Sequence, residues 1–131
     1  MNEEKKYSIL IVDDDKFLLD MYSTKFRNLG HNAVVANGGE DALSKLRNGP
    51  DPEIIVLDII MPTMDGLELL AVIRKENLAP HATVVMLTNE TEPAKIDRAK
   101  SMGVGGYIVK ATTIPSEVVE EVIHIVKNKQ N

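Results

Sequence analysis

Five short runs of consecutive apolar residues punctuate this chain, and they constrain its fold more than any other feature. They are Ile9-Leu10-Ile11-Val12, Ala33-Val34-Val35-Ala36, Ile54-Ile55-Val56-Leu57, Val84-Val85-Met86-Leu87 and Tyr107-Ile108-Val109. Most of their residues are β-branched, which favours extended backbone. The apolar residues are continuous rather than alternating with polar ones, the pattern of strands covered on both faces in a parallel sheet. The second run is the least bulky and the fifth is short, which places both at sheet edges.

The intervals between the runs read as helices. Val118, Val119, Val122, Ile123 and Val126 recur at three- and four-residue steps, and Leu18, Tyr22, Phe26 and Leu29 form a similar stripe. Gly30 and Gly103 stand where a left-handed terminating residue is wanted. Asp15 fits a helix N-cap. Asp65 with Glu68 resembles a capping box, and Thr91 with Pro93 and Thr113 with Pro115 mark helix starts. Basic residues gather late in several intervals: Lys25 and Arg27, Lys45 and Arg47, Arg74 and Lys75, Arg98 and Lys100. There they complement the negative end of a helix dipole. Asn48-Gly49-Pro50-Asp51-Pro52 reads as a surface loop. Strand and helix alternating about five times predict a three-layer α/β sandwich with right-handed crossovers.

Size and composition agree with one compact domain over residues 1–131, its core spanning about 7–127. At 44% hydrophobic residues the chain can bury a core without staples. The absence of Cys excludes a disulfide framework, a thiolate zinc site and a cysteine nucleophile, and is compatible with a cytoplasmic location. A net charge of −5 argues against direct binding to nucleic acid, whose phosphates are met by Lys and Arg. No apolar run approaches the roughly 20 residues needed to span a bilayer. The polar start Met1-Asn2-Glu3-Glu4-Lys5-Lys6 lacks the apolar segment of a secretory signal, and Glu3 to Lys6 is expected to be a frayed, solvated end.

The chemistry gathers at the carboxyl ends of the expected strands. Asp13-Asp14-Asp15 ends the first, Asp58 the third, Thr88 the fourth and Lys110 the fifth. Open parallel sheets bind ligands at that edge, where strand order reverses. With strands one and three as neighbours, Asp13, Asp14 and Asp58 converge on one pocket. Clustered carboxylates repel and call for a cation; hard oxygen ligands in small number suit Mg²⁺. Lys110 adds a compact positive charge and Thr88 a hydroxyl that can donate to an oxyanion. A carboxylate nucleophile with a divalent ion, a Lys and a Thr makes a phosphoryl-transfer site.

Together the residues from Ile9 to Asp15, Asp58-Ile59-Ile60-Met61-Pro62-Thr63-Met64-Asp65-Gly66, Leu87-Thr88 and Gly106-Tyr107-Ile108-Val109-Lys110 resemble the CheY-like receiver domain of two-component response regulators. The likeness covers nearly the whole chain. It implies a (βα)5 flavodoxin-like sandwich whose five-stranded parallel sheet runs in the order 2-1-3-4-5. It implies that Asp58 accepts a phosphoryl group from a histidine kinase or phosphotransfer protein. Asp14, Asp58 and the backbone carbonyl of Ile60 would ligate Mg²⁺, with Asp13 acting through a water. Lys110 would contact the phosphoryl group, Thr88 would swing toward it and Tyr107 would turn inward. The last helix-strand-helix stretch would then present a face to a downstream protein.

Such a domain takes part in its own phosphorylation and dephosphorylation without being a multiple-turnover enzyme. No output segment follows the last expected helix, so the action expected of these residues is protein contact, either alone or within a larger regulator. Two features depart from the family pattern or leave it open. Ala111 follows Lys110 where relatives often carry Pro, and Ile60 and Glu90 occupy positions that tune phosphate lifetime in the family.

Three rival functions compete. A Mg²⁺-dependent phosphohydrolase of the haloacid dehalogenase class would use Asp13-x-Asp15, but leaves Asp58 unexplained and has no obvious cap domain. A flavodoxin-like FMN module would need a phosphate-friendly first turn, and here that turn is acidic. A degenerate scaffold is disfavoured because no acceptor residue is missing. Met61 and Met64 are expected to pack inward. His31, His81 and His124 lack metal-ligand spacing and are expected at the surface.

Overall fold

The computed structural model describes residues 5–49 and 51–129. Along it run β1 (Ser8–Asp13), α1 (Lys16–Asn28), β2 (Asn32–Asn37), α2 (Gly39–Asn48), β3 (Ile54–Leu57), α3 (Gly66–Lys75), β4 (Thr83–Thr88), α4 (Pro93–Ser101), β5 (Gly106–Val109), a single 3₁₀ turn (Lys110–Thr112) and α5 (Pro115–Lys129). The strands pair in parallel in the order β2-β1-β3-β4-β5, so the two expected edge strands are at the edges.

Burial explains the continuous apolar runs. Leu10, Val12, Ile55, Leu57, Val84 and Met86 face one layer, packed with residues of α2 and α3. Ile9, Ile11, Ile54, Val56, Val85 and Leu87 face the other, packed with α1 and α5. Each such side chain contributes about 1.5–3 kcal/mol on leaving water. No alternation is possible when both faces are covered.

Register then fixes the functional edge. Val12 lies opposite Leu57, and the Asp58 amide donates to the Val12 carbonyl at 3.1 Å. Asp13 and Asp58 therefore leave neighbouring strands at one level. Thr88 lies opposite Val109, so Lys110 follows just beyond.

Helix ends follow local chemistry. The Asp15 carboxylate accepts the amides of Phe17 and Leu18, and Asp65 with Glu68 forms a complete capping box. Gly30 and Gly103 adopt positive φ. The expected late basic residues do occupy the last turns of α1, α2, α3 and α4. Met61 is buried and Met64 packs on the same core layer.

The expected stripe on α1 needs correction. On α1 the buried set is Leu19, Tyr22, Ser23 and Phe26, whereas Leu18 is only partly covered and Leu29 is exposed. The helix is rotated so that the stripe centres nearer Leu19. The expected helix start at Thr91 and Pro93 holds: α4 begins at Pro93, with Glu92 at the cap position. The Glu90 carboxylate accepts the amides of Thr91 and Glu92 in the loop before the helix, and α4 has no side-chain cap. α5 likewise begins at Pro115 as expected, and Thr113 ends the 3₁₀ turn before it.

His31 is buried, not at the surface. Its Nδ1 accepts the Tyr7 amide at 3.0 Å, and its ring packs against Tyr7 and Phe26. The imidazole thus satisfies a backbone donor that the end of the sheet would otherwise bury. His81 and His124 are exposed. Of the expected frayed start, Glu3 and Glu4 lie outside the described residues, as does Pro50 of the expected surface loop. Lys5 and Lys6 are exposed yet engaged, Lys5 with Glu53 at 3.0 Å and Lys6 with the Leu29 carbonyl at 2.7 Å.

Candidate functional site

At the carboxyl edge of the sheet, Asp13, Asp14 and Asp58 each offer a carboxylate oxygen within 4.8 Å of the others. Asp13 and Asp58 are buried at the strand ends, while Asp14 is exposed at the mouth. Lys110 reaches in from beyond β5 and bridges the two buried acids. Its Nζ donates to Asp13 Oδ2 at 2.6 Å and to Asp58 Oδ2 at 2.9 Å. The side chains of all three are largely buried.

The Asp13 carboxyl and the Lys110 ammonium both shift upward, although an ion pair alone would lower the acid. Burial pushes the Asp13 carboxyl up, and hydrogen bonds from Lys110 and the Asp15 amide only partly offset it. Burial pulls the Lys110 ammonium down, yet hydrogen bonds to Asp13 and Asp58 outweigh it and the net shift is upward. Stoichiometry reconciles them. The one ammonium gains two carboxylate partners, which outweigh its burial, whereas at Asp13 burial outweighs the single ammonium. Lys110 therefore stays charged, and the cluster retains an excess of negative charge.

The surrounding loops are held by their own side chains. The Asp13 carboxylate accepts the Asp15 amide at 3.0 Å, and the Asp58 carboxylate accepts the Ile60 amide at 3.1 Å. Thr88 is fully buried, and its Oγ1 accepts the amides of Glu90 at 3.2 Å and Ile59 at 3.4 Å. Both lone pairs are thus occupied, leaving the hydroxyl proton available to donate. The half-buried Tyr107 donates its hydroxyl to the Glu90 carbonyl at 2.6 Å, tying β5 to the loop before α4. Ile60 stands exposed beside the acidic mouth. Glu90 is turned to its own loop, where it also pairs with Lys95 at 3.2 Å.

The donor set fits a small hard cation: three carboxylates converge, and one ammonium cannot neutralise them. Every site residue singled out in the sequence stands at this edge. Two further contributors are assigned no role by the sequence, although Gly66 closes the Asp58 motif. Gly66 begins α3 with its amide donating to the Ile59 carbonyl, and a Cβ there would overlap the Asp58 carbonyl oxygen. Only glycine lets the α3 end approach the Asp58 backbone so closely. Asn89, next to Thr88, accepts the Ala111 amide on its side-chain oxygen at 2.8 Å. Among the described residues the backbone holds no cis peptide bond, so Lys110–Ala111 is trans.

Comparison with known proteins converges on one family. The model of the response regulator receiver domain matches residues 9–123. The chemotaxis protein CheY-3 of Vibrio cholerae is 39% identical over 110 residues, covering 83% of this chain and 84% of that protein. The chemotaxis protein CheY1 of Helicobacter pylori is 31% identical, covering 90% of this chain and 94% of that one. The crystal structure of a CheY-like receiver domain protein from Methanospirillum hungatei superposes with a TM-score of 0.84 at 25% identity, covering 96% of this chain and 98% of that one. With parallel strands in the matching order and the acids gathered at their carboxyl ends, this chain belongs to the receiver-domain family of two-component response regulators.

Proposed function

We propose that this domain is a phosphoacceptor switch in which Asp58 takes a phosphoryl group from a histidine kinase or phosphotransfer protein. The observation that carries the reading is the Lys110 ammonium bridging Asp13 and Asp58 beneath an acidic mouth. A carboxylate oxygen of Asp58 attacks phosphorus, forming an O–P bond as the donor's N–P bond breaks. The electron pair stays on the donor imidazole. Lys110 shifts from the carboxylate toward the phosphoryl oxygens, whose charge it offsets, and the Thr88 hydroxyl donates to one of them.

Asp14, Asp58 and the Ile60 carbonyl would hold Mg²⁺ directly and Asp13 through water. The ion supplies further charge neutralisation at the phosphoryl oxygens. The domain takes part in these steps without turning over as an enzyme.

Phosphorylation adds up to about two negative charges. It biases an existing equilibrium toward the state that binds a downstream protein. Pull on Thr88 is felt by Glu90, whose amide it accepts, and through the Glu90 carbonyl by Tyr107. α4 is suited to respond, since Ala99 is its one buried residue. The face of α4, β5 and α5 is the proposed output surface. Phe17 at the start of α1, with Ile60 and Ile114 on loops, are exposed apolar residues and suit docking of a protein donor. No helix among the described residues is long and apolar enough to cross a membrane, which accords with a proposed cytoplasmic role.

The test is intact mass after incubation with Mg²⁺ and a small acyl phosphate or a phosphorylated kinase. One phosphoryl group adds to the wild type and none to Asp58→Asn. An unmodified wild type, or equal addition to the variant, defeats the reading.

A further inference from the structure

Lys110 opens a 3₁₀ turn, and the first amides of such a turn have no partner inside it. A side-chain oxygen at the preceding residue usually supplies one, but that residue is Val109 and makes no side-chain cap. The need is met from another element. Asn89 Oδ1, in the loop after β4, accepts the Ala111 amide at 2.8 Å. This bond exists only because residue 111 has an N–H; the proline that many relatives carry there has none.

The bond also completes a circuit. Asp58 meets Lys110 at 2.9 Å, Ala111 follows Lys110 and meets Asn89, Asn89 follows Thr88, and Thr88 meets the amide of Ile59 beside Asp58. Of its three non-covalent closures, the Thr88–Ile59 contact is long at 3.4 Å, and the Asp58–Lys110 contact must be remade when the phosphoryl group arrives. The Asn89–Ala111 bond joins backbone to a short side chain and stays out of the chemistry.

We propose that Asn89 is a positioning residue for phosphoryl transfer, clasping the Lys110 turn to the Thr88 loop through the Ala111 amide. It does not touch the reacting atoms. It sets where the ammonium stands relative to Asp58, and misplacement of such a group slows transfer without unfolding the domain. The inference rests on the phosphoacceptor reading above. It adds a residue absent from the acidic pocket and a reason why Ala111 functions where proline is common.

The experiment measures the rate of Asp58 phosphorylation by a small acyl phosphate in saturating Mg²⁺. Asn89→Leu, of similar size but without the acceptor, is expected to slow the maximal rate about fivefold, while Asn89→Asp, which keeps an oxygen there, stays within about twofold of wild type. In an Ala111→Pro background, which lacks the donor, Asn89→Leu should add no further slowing. A rate for Asn89→Leu within about twofold of wild type overturns the proposal, as does equal slowing in both backgrounds.

A readout independent of phosphorylation separates this inference from its parent. The ¹⁵N-resolved resonance of the Lys110 ammonium, protected by Asp13 and Asp58 in the wild type, should broaden or vanish in Asn89→Leu and persist in Asn89→Asp. An unchanged resonance in Asn89→Leu counts against the clasp. If the wild type takes no phosphate the parent reading fails, and this resonance still decides whether Asn89 positions Lys110.

Discussion

The two ends of the β-sheet handle charge in opposite ways. At the amino end three charged or polar side chains meet partners of their own. Glu53 pairs with Lys5 and accepts the Ser8 amide, Lys6 donates to the Leu29 carbonyl, and His31 accepts the Tyr7 amide. At the carboxyl end two buried acids share one lysine, and a third acid, Asp14, has no ion-pair partner among the described residues. One end is closed by its own contacts, whereas the other keeps an excess of negative charge that a cation can offset. The contrast shows where this molecule gives up stability for function.

The largest expected effect contrasts two glycines. Gly66→Ala at the carboxyl end drives a methyl group into the Asp58 backbone, which cannot move without moving the acceptor. It should cost about 3 kcal/mol and also impair phosphorylation. Gly30→Ala at the amino end meets only the flexible Lys6 side chain, so its cost is that of a left-handed alanine, about 1 kcal/mol. Urea unfolding of the pair checks this; equal losses would remove the distinction.

A smaller effect has the opposite sign. Because burial raises the Asp13 carboxyl, its ionised form costs stability at neutral pH, and that cost is relieved as the pH falls through the raised value. Asp13→Asn should therefore stabilise the domain in EDTA at pH 7, by about 1 kcal/mol, and should weaken the stabilisation that Mg²⁺ brings to the wild type. Thermal melts with and without Mg²⁺ measure both. Destabilisation of the metal-free variant would mean that the Lys110 contact outweighs burial.

The smallest effect lies at the amino end. Burial pushes Glu53 up, but Lys5 and the Ser8 amide outweigh it and hold its carboxyl below the usual range. Its contribution is present at neutral pH and is lost as the pH falls through the depressed value. The side chain is more than a third exposed, so solvent screening limits the effect to a few tenths of a kcal/mol. Glu53→Gln should lower stability slightly at pH 7 and flatten the acid limb of the stability profile. Melts from pH 3 to 7 would register either outcome.

Features that depend on near neighbours were legible. The strands were visible because two-sided burial demands continuous apolar residues, and the caps at Asp15 and Asp65 because a carboxylate reaches an amide two or three residues on. The acidic cluster was visible because its members end strands. Failures involve distant partners. The polar character of His31 suggests the surface, and nothing near it in sequence points to the Tyr7 amide, 24 residues away. Asn89 passed unnoticed because its partner follows β5.

The sequence alone therefore determined the alternation of strands and helices, the edge strands and the set of chemical groups at the carboxyl edge, since hydrophobic periodicity and local capping act within a few residues. Tertiary structure decided that Lys110 stands between Asp13 and Asp58, that Asn89 closes the Lys110 turn and that His31 is internal. Those outcomes depend on strand register, which brings groups from separate parts of the chain to within hydrogen-bonding distance and sets the burial that decides their charge.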